Sequence, residues 1–157
     1  MGNEFKSLKL SDVLNFATEK IDVERINIED YISTENLIPD FGGVNLASTI
    51  PKCGKVTIFY EGDILFSNIR TYFKKLWYAN RAGACSNDVI VFRSKQGLNP
   101  RFAFYSLMHE EFIEHTVKTS KGTKMPRGDK DAIAKYLISV PDVKTQSTIA
   151  HILSQFS

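Results

Sequence analysis

The sequence predicts an α+β domain built on a twisted, mostly antiparallel sheet with flanking helices, and three patterns carry that expectation. Runs rich in β-branched and aromatic residues at 55–60, 64–66, 76–79 and 89–92 are separated by turn-forming residues, the signature of a strand meander. Residues 101–117 then repeat apolar side chains at spacings of three and four, the helical period. A second seam, Ile149, Ile152, Leu153 and Phe156, follows near the C-terminus at the spacing of a coiled coil or bundle.

Taken in order, residues 9–17 (KLSDVLNFA) offer Ser11 or Asp12 as a cap, with Leu10, Val13, Leu14 and Ala17 at helical spacing, and predict a short amphipathic helix. Residues 26–32 alternate apolar and polar side chains and predict a strand, followed by a polar turn at 33–36. Residues 41–48 read as a flexible loop without the Lys-Ser/Thr ending of a phosphate-binding P-loop. KVTIFY at 55–60 is a strand leading through Glu61-Gly62-Asp63 into the run at 64–66, and residues 80–83 signal a turn before the run at 89–92. Asn99 is placed to cap a helix and Pro100 suits its first position. In that helix Phe102, Tyr105, Leu107, Met108 and Phe112 face inward, and Glu110, Glu111 and Glu114 face water. Residues 136–140 form a last strand ended by Pro141, and Asp142 caps a helix running through Phe156.

At 157 residues the chain is long enough to fold as one domain without a metal or disulfide staple. Its 43% hydrophobic and 24% charged residues exclude a disordered protein. No apolar run approaches the ~20 residues of a membrane span, and the start lacks a signal-peptide core, so a cytoplasmic protein is expected. Cys53 and Cys85 stand alone and predict two buried or half-buried thiols and no metal site. Nucleotide-binding, nucleophile-elbow and zinc-protease motifs are missing, and His109 and His115 lie six apart on different helix faces. The run 99–102 lacks the second proline of the Asn-Pro-Pro-aromatic methyltransferase motif, and no carboxylate pair with Glu-x-Lys is present. A catalytic domain and a cofactor are therefore not expected. Binding is the class that survives.

Charge is unevenly spread around a net of +2. Residues 19–40 are acidic, with Glu19, Asp22, Glu24, Glu29, Asp30, Glu35 and Asp40 against Lys20 and Arg25. Two later loops are basic: one gathers Ser67, Asn68, Arg70, Tyr72, Lys74 and Lys75, the other Lys121, Thr123, Lys124 and Arg127. Such loops either solvate the surface or grip a polyanion through cations and hydroxyls.

Six segments in order carry a resemblance: residues 9–13 (KLSDV), 31–36 (YISTEN), 62–72 (GDILFSNIRTY), 83–89 (GACSNDV), 120–127 (SKGTKMPR) and 146–153 (QSTIAHIL). Across nearly its whole length the chain resembles a target recognition domain of the specificity subunit of type I restriction-modification enzymes. The resemblance implies a non-catalytic component that recognises one half of a split target in double-stranded DNA and directs methyltransferase and restriction subunits. It implies a recognition domain over residues 1–141 and, over 142–157, the start of a coiled-coil spacer helix. The DNA contacts expected are Ser67, Asn68, Arg70, Tyr72, Lys74, Lys75, Lys121, Thr123, Lys124 and Arg127, although Arg70 and Arg127 lie in recurring blocks that also serve as scaffold. Ile149, Ile152, Leu153 and Phe156 are the expected subunit interface. A full subunit has two such domains, so this chain is expected to be a fragment, a truncated product or a half-size subunit needing a second domain or a second copy. Two alternatives remain: a protein-interaction module that docks a methyltransferase through the C-terminal helix, and the recognition domain of a fused restriction-methylation enzyme.

Overall fold

The computed structural model describes residues 4–156, and the ends of the expected domain ranges, residues 1–3 and 157, lie outside them. In chain order these residues form β1 (Lys6–Lys9), α1 (Leu10–Val13), β2 (Leu14–Phe16), β3 (Lys20–Asp22), β4 (Tyr31–Ile32), β5 (Leu37–Ile38), β6 (Gly43–Val44), β7 (Lys55–Phe59), β8 (Ile64–Ser67), β9 (Leu76–Tyr78), β10 (Gly83–Cys85), β11 (Val89–Ser94), α2 (Pro100–Leu107), α3 (Glu110–Lys118), α4 (Lys130–Ala134), β12 (Leu137–Val140) and α5 (Val143–Ser154). The fold is α+β with mostly antiparallel pairing. Two four-stranded sheets, ordered β3-β7-β10-β4 and β2-β11-β8-β9, stand with the ribbons β1-β12 and β5-β6. Strands β4 and β10 run parallel.

The meander expected over 55–93 is divided between the two large sheets. After β7 the chain turns at 60–63, where Asp63 N–H donates to Tyr60 O at 3.0 Å and Tyr60 N–H to Asp63 Oδ2 at 2.8 Å. Gly62 sits there at φ 92°, a conformation that a β-carbon disfavours. The turn hands the chain to the second sheet, where β8 pairs with β9 and β11, while β10 crosses back to pair with β7.

Strand β8 is covered on both faces, which is why it reads as one continuous apolar run. Leu65 joins Phe59, Trp77, Cys85, Val89 and Val91 in one cluster, and Ile64 and Phe66 join Ile90, Phe92, Phe102, Leu107, Phe112 and Ile133 in another with the helices. Each such fully buried side chain contributes about 1.5–3 kcal/mol relative to exposure.

Several local expectations are corrected. Residues 9–17 form only the single turn α1. Asp12 accepts from Lys9 N–H at 3.0 Å inside that turn, and Leu14–Phe16 become strand because β11 offers them a ladder, Leu14 opposite Ser94 and Phe16 opposite Phe92. Residues 26–32 do not form one strand: after Ile26 and Asn27 the chain makes a 3-10 turn at Ile28–Asp30, and only Tyr31–Ile32 are strand. The loop at 41–48 contributes β6, paired with β5. The long helix at 101–117 is two helices. Met108 and His109 leave helical geometry, and His109 Nδ1 caps α3 by accepting from Glu111 N–H at 3.2 Å, so that Leu107 and Phe112 both point into the core. Tyr105, expected inward, is partly exposed. Of the two thiols Cys85 is buried and Cys53 exposed. Among the described residues no helix is long and apolar enough to cross a membrane.

Candidate nucleic-acid interface

The first basic loop leaves the end of β8. Arg70 and Lys74 both adopt left-handed backbone, φ 50° and 58°, and bracket the 3-10 turn Thr71–Phe73. Non-glycine residues hold this conformation only where surroundings enforce it. Here the main chain is pinned on both sides: Phe73 N–H donates to Arg70 O (3.0 Å), Lys74 N–H to Thr71 O (3.0 Å), Asp40 N–H to Phe73 O (2.9 Å) and Phe41 N–H to Lys74 O (2.8 Å). Thr71 is buried inside the turn, while Tyr72 and Phe73 stand exposed with their ring centroids 4.9 Å apart.

The second loop follows α3. Lys121 and Arg127 exchange main-chain hydrogen bonds at 2.9 and 2.8 Å, which closes a small loop with Gly122 at φ 99° and Thr123, Lys124 and Met125 exposed at its tip. This loop docks on the first. Arg70 N–H donates to Pro126 O at 2.8 Å, Arg70 Nη2 to Lys124 O at 3.4 Å and Gly128 N–H to Asn68 O at 3.1 Å, and Ile69 forms a bridge with Arg127. The two basic loops, 57 residues apart at Arg70 and Arg127 by numbering, thus form one surface.

Within it the predicted residues divide. Arg70, Tyr72, Lys121, Thr123, Lys124 and Arg127 are exposed. Ser67 and Asn68 are not: the two residues are only 2% and 9% exposed, with Ser67 Oγ donating to Ile69 O (3.2 Å) and Asn68 Nδ2 to Gly128 O (3.1 Å). Lys75 is half-buried, donating to Thr34 O at 3.0 Å with its ammonium 5.8 Å from the Phe73 ring centre. Lys74 pairs with Glu110 at 2.6 Å, and this hydrogen bond raises its pKa above the ordinary lysine value.

Sequence reasoning missed the carboxylates. Arg127 pairs with Asp88, and Lys121 lies 3.4 Å from Asp129. Burial pulls the Asp129 pKa upward, but hydrogen bonds from the Asp131 amide and from Lys121 win and hold it below the usual value. Among the described residues Arg70 and Lys124 belong to no ion pair. The Ser86-Asn87-Asp88 turn before β11 was the available signal for Asp88, and Asp129 is the cap of α4.

The apolar seam of α5 is split. Asp142 Oδ1 caps the helix through Thr145 N–H (2.7 Å), and buried Gln146 fixes its first turn, accepting from Asn99 N–H (2.7 Å) and donating to Gly97 O (3.1 Å) and Pro141 O (2.9 Å). Ile149 packs against the core, whereas Ile152, Leu153 and Phe156 are exposed, Phe156 by 84%. No group of three or more His, Cys, Asp or Glu placed to hold a metal occurs among the described residues.

Known proteins resemble this chain along most of its length. A family model described as type I restriction modification DNA specificity domain matches residues 2–157. The type I restriction enzyme EcoDI specificity subunit of Escherichia coli is 25% identical over 134 residues, 80% of this chain and 30% of that protein. The crystal structure of the HsdS subunit from Thermoanaerobacter tengcongensis superposes with a TM-score of 0.77 at 18% identity, covering 97% of this chain and 42% of that one. The type I restriction-modification S subunit from M. genitalium gives 0.68 at 17% identity, with 98% and 39% covered. The chain spans less than half the length of each of these relatives.

Proposed function

Because the chain belongs to the type I restriction modification DNA specificity domain family, we propose that it recognises a specific sequence in double-stranded DNA, as one half of a bipartite target, and catalyses no reaction itself. The observation that carries this reading is the family match over residues 2–157. The joined basic loops are the surface whose chemistry suits it. Lys74, Lys75, Lys121 and Lys124 supply salt-dependent attraction to phosphates and fix register. Arg70 and Arg127 are the side chains suited to guanine edges in the major groove, with Tyr72 and Thr123 beside them. Ser67 and Asn68 belong to the frame in this reading, because their side chains are already engaged inside the protein.

In the same reading residues 1–141 form the recognition unit and 142–157 begin a spacer helix. Methyltransferase and restriction subunits are its protein partners, and a second recognition domain or a second copy of the chain reads the other half-site. The protein then works in the cytoplasm, where its DNA lies.

Labelled random-sequence duplexes titrated with the chain at low and moderate salt test the reading. Salt-sensitive retention, with enrichment of one sequence motif, is expected. Failure to retain any duplex at low salt, by the chain or by its full assembly, rules it out. The exposure of Ile152, Leu153 and Phe156 favours a second reading, a module that docks a methyltransferase through α5. Co-purification after Ile152→Asp and Phe156→Asp discriminates: unchanged assembly removes the helix as a docking element.

A further inference from the structure

Asn68 stands where a DNA-contacting side chain was expected, yet its hydrogen bonds run to the main chain of two other segments. Its N–H donates to Asp88 O at 2.8 Å, its Nδ2 donates to Gly128 O at 3.1 Å, and its O accepts from Gly128 N–H at 3.1 Å. Each of those segments carries or touches an arginine of the exposed surface. Asp88 pairs with Arg127, the residue before Gly128, and Arg70, two residues beyond Asn68, donates its N–H to Pro126 O at 2.8 Å. The end of β8, the turn before β11 and the 121–128 loop are therefore tied together at one residue, its main chain making two of the bonds and its side chain adding the third, to the 121–128 loop.

The fit around that side chain is close. A β-carbon on residue 128 would lie 2.4 Å from Asn68 Oδ1 and 3.1 Å from Ile133 Cδ1, so glycine is what allows the loop to close on it. Asn68 Oδ1 is itself buried without a hydrogen-bond partner. Such an atom is costly, and an apolar side chain of similar size would fill the space without that cost. Packing alone does not explain an asparagine here. A donor aimed at the loop main chain does.

We propose that Asn68 is a positioning residue: it locks the 70–73 and 121–127 loops into one preorganised surface and acts on sequence discrimination through Arg70 and Arg127, without touching DNA. This rests on the DNA-reading function proposed above. Loops fixed before binding avoid the ordering cost at the moment of binding. Phosphate attraction depends on the number of cations, which the lock leaves unchanged.

The test begins by enriching a duplex from a random-sequence pool with the wild-type chain. Wild type, Asn68→Ala, Gly128→Ala and the double variant are then compared on that duplex and on random duplex, with hydrogen exchange of each free protein in parallel. Exchange at the Arg70 and Gly128 amides is expected to rise in both single variants. Affinity for the enriched duplex is expected to fall about tenfold while random-duplex affinity stays within about twofold. Gly128→Ala is expected to have less effect in the Asn68→Ala background, where the atom it would meet is gone. If Asn68→Ala does not fold, Gly128→Ala carries the same comparison. Unchanged exchange, equal losses on both duplexes, or additive effects overturn the positioning role. A wild type that enriches no sequence at any salt overturns the DNA-reading function and this role with it, whereas one that enriches a sequence bound equally well by the variants overturns the role alone.

Discussion

Asp88, in the turn before β11, pairs with Arg127 of the second basic loop, and its carbonyl accepts the Asn68 N–H at the root of the first at 2.8 Å. One residue thus serves the frame with its main chain and restrains a surface cation with its side chain. Asp88→Asn keeps the shape and releases the arginine. Random-duplex affinity at low salt should rise severalfold, and the slope of log affinity against log salt should steepen by up to about 0.9, the share of one further neutralised phosphate. A fluorescence-anisotropy salt titration measures this, and an unchanged slope counts against the pairing as a restraint.

Lys124 stands exposed at the loop tip and in no ion pair among the described residues. Lys124→Ala should weaken binding to all duplexes alike and lower the salt slope by about 0.9. Lys144, exposed in the first turn of α5, is the control. Equal effects at the two positions would show general charge attraction rather than a defined contact face.

Arg93 grips Asp63 with Nε at 2.9 Å and Nη2 at 2.7 Å, and the Asp63 side chain is 4% exposed against 35% for Arg93. Breaking a buried pair by removing one partner costs about 3–5 kcal/mol, which the arginine's exposure reduces. Asp63→Asn should therefore destabilise the fold by about 2 kcal/mol, lowering the urea midpoint with little change in the denaturant slope. A shift below about 0.5 kcal/mol would mean that the turn at 60–63 holds without the pair.

Burial pushes the Cys85 thiol from 9.0 up to about 12. A pKa raised on folding adds stability that is complete below the unfolded value and is lost as pH climbs toward the folded one. Stability should hold up to about pH 9 and then fall by up to about 1.4 kcal/mol per pH unit toward pH 12, from this group alone. Burial raises Tyr31 and Tyr136 in the same direction, so they add to the alkaline loss. Cys85→Ala should flatten the decline in a denaturation series from pH 8 to 11. At pH 8 a thiol reagent should label exposed Cys53 and spare Cys85 until the protein unfolds.

The strongest elements were legible because local and tertiary preferences agree in them. Strands β7, β8, β9 and β11 and the cap Asn99-Pro100 fall where residue type alone puts them. The rest depended on distant partners. Strand β10, Gly83-Ala84-Cys85, carries no β-branched or aromatic residue, and Gly83 is there because a β-carbon would lie 2.4 Å from Asp30 O. Residues 14–16 follow a helical period but pair with β11. At the candidate site the two loops and their cations were readable as polar, basic runs. Their junction was not, because it is made by main-chain bonds from Arg70 to Pro126 and from Gly128 to Asn68. Periodicity also leaves no mark that would have separated buried Asn68 from exposed Arg70.

Gln146 makes three hydrogen bonds in the first turn of α5, while Ile152, Leu153 and Phe156 project at the far end. At 12 residues the helix is about 18 Å long, so a tilt of about 10° at its base displaces its tip by about 3 Å. The Gln146 amide at the root, together with Ile149 and buried Ala150 on the core side, thus sets the aim of the exposed end, and a change at the root that tilts the helix without unwinding it would shift Ile152 and Leu153 by a comparable distance.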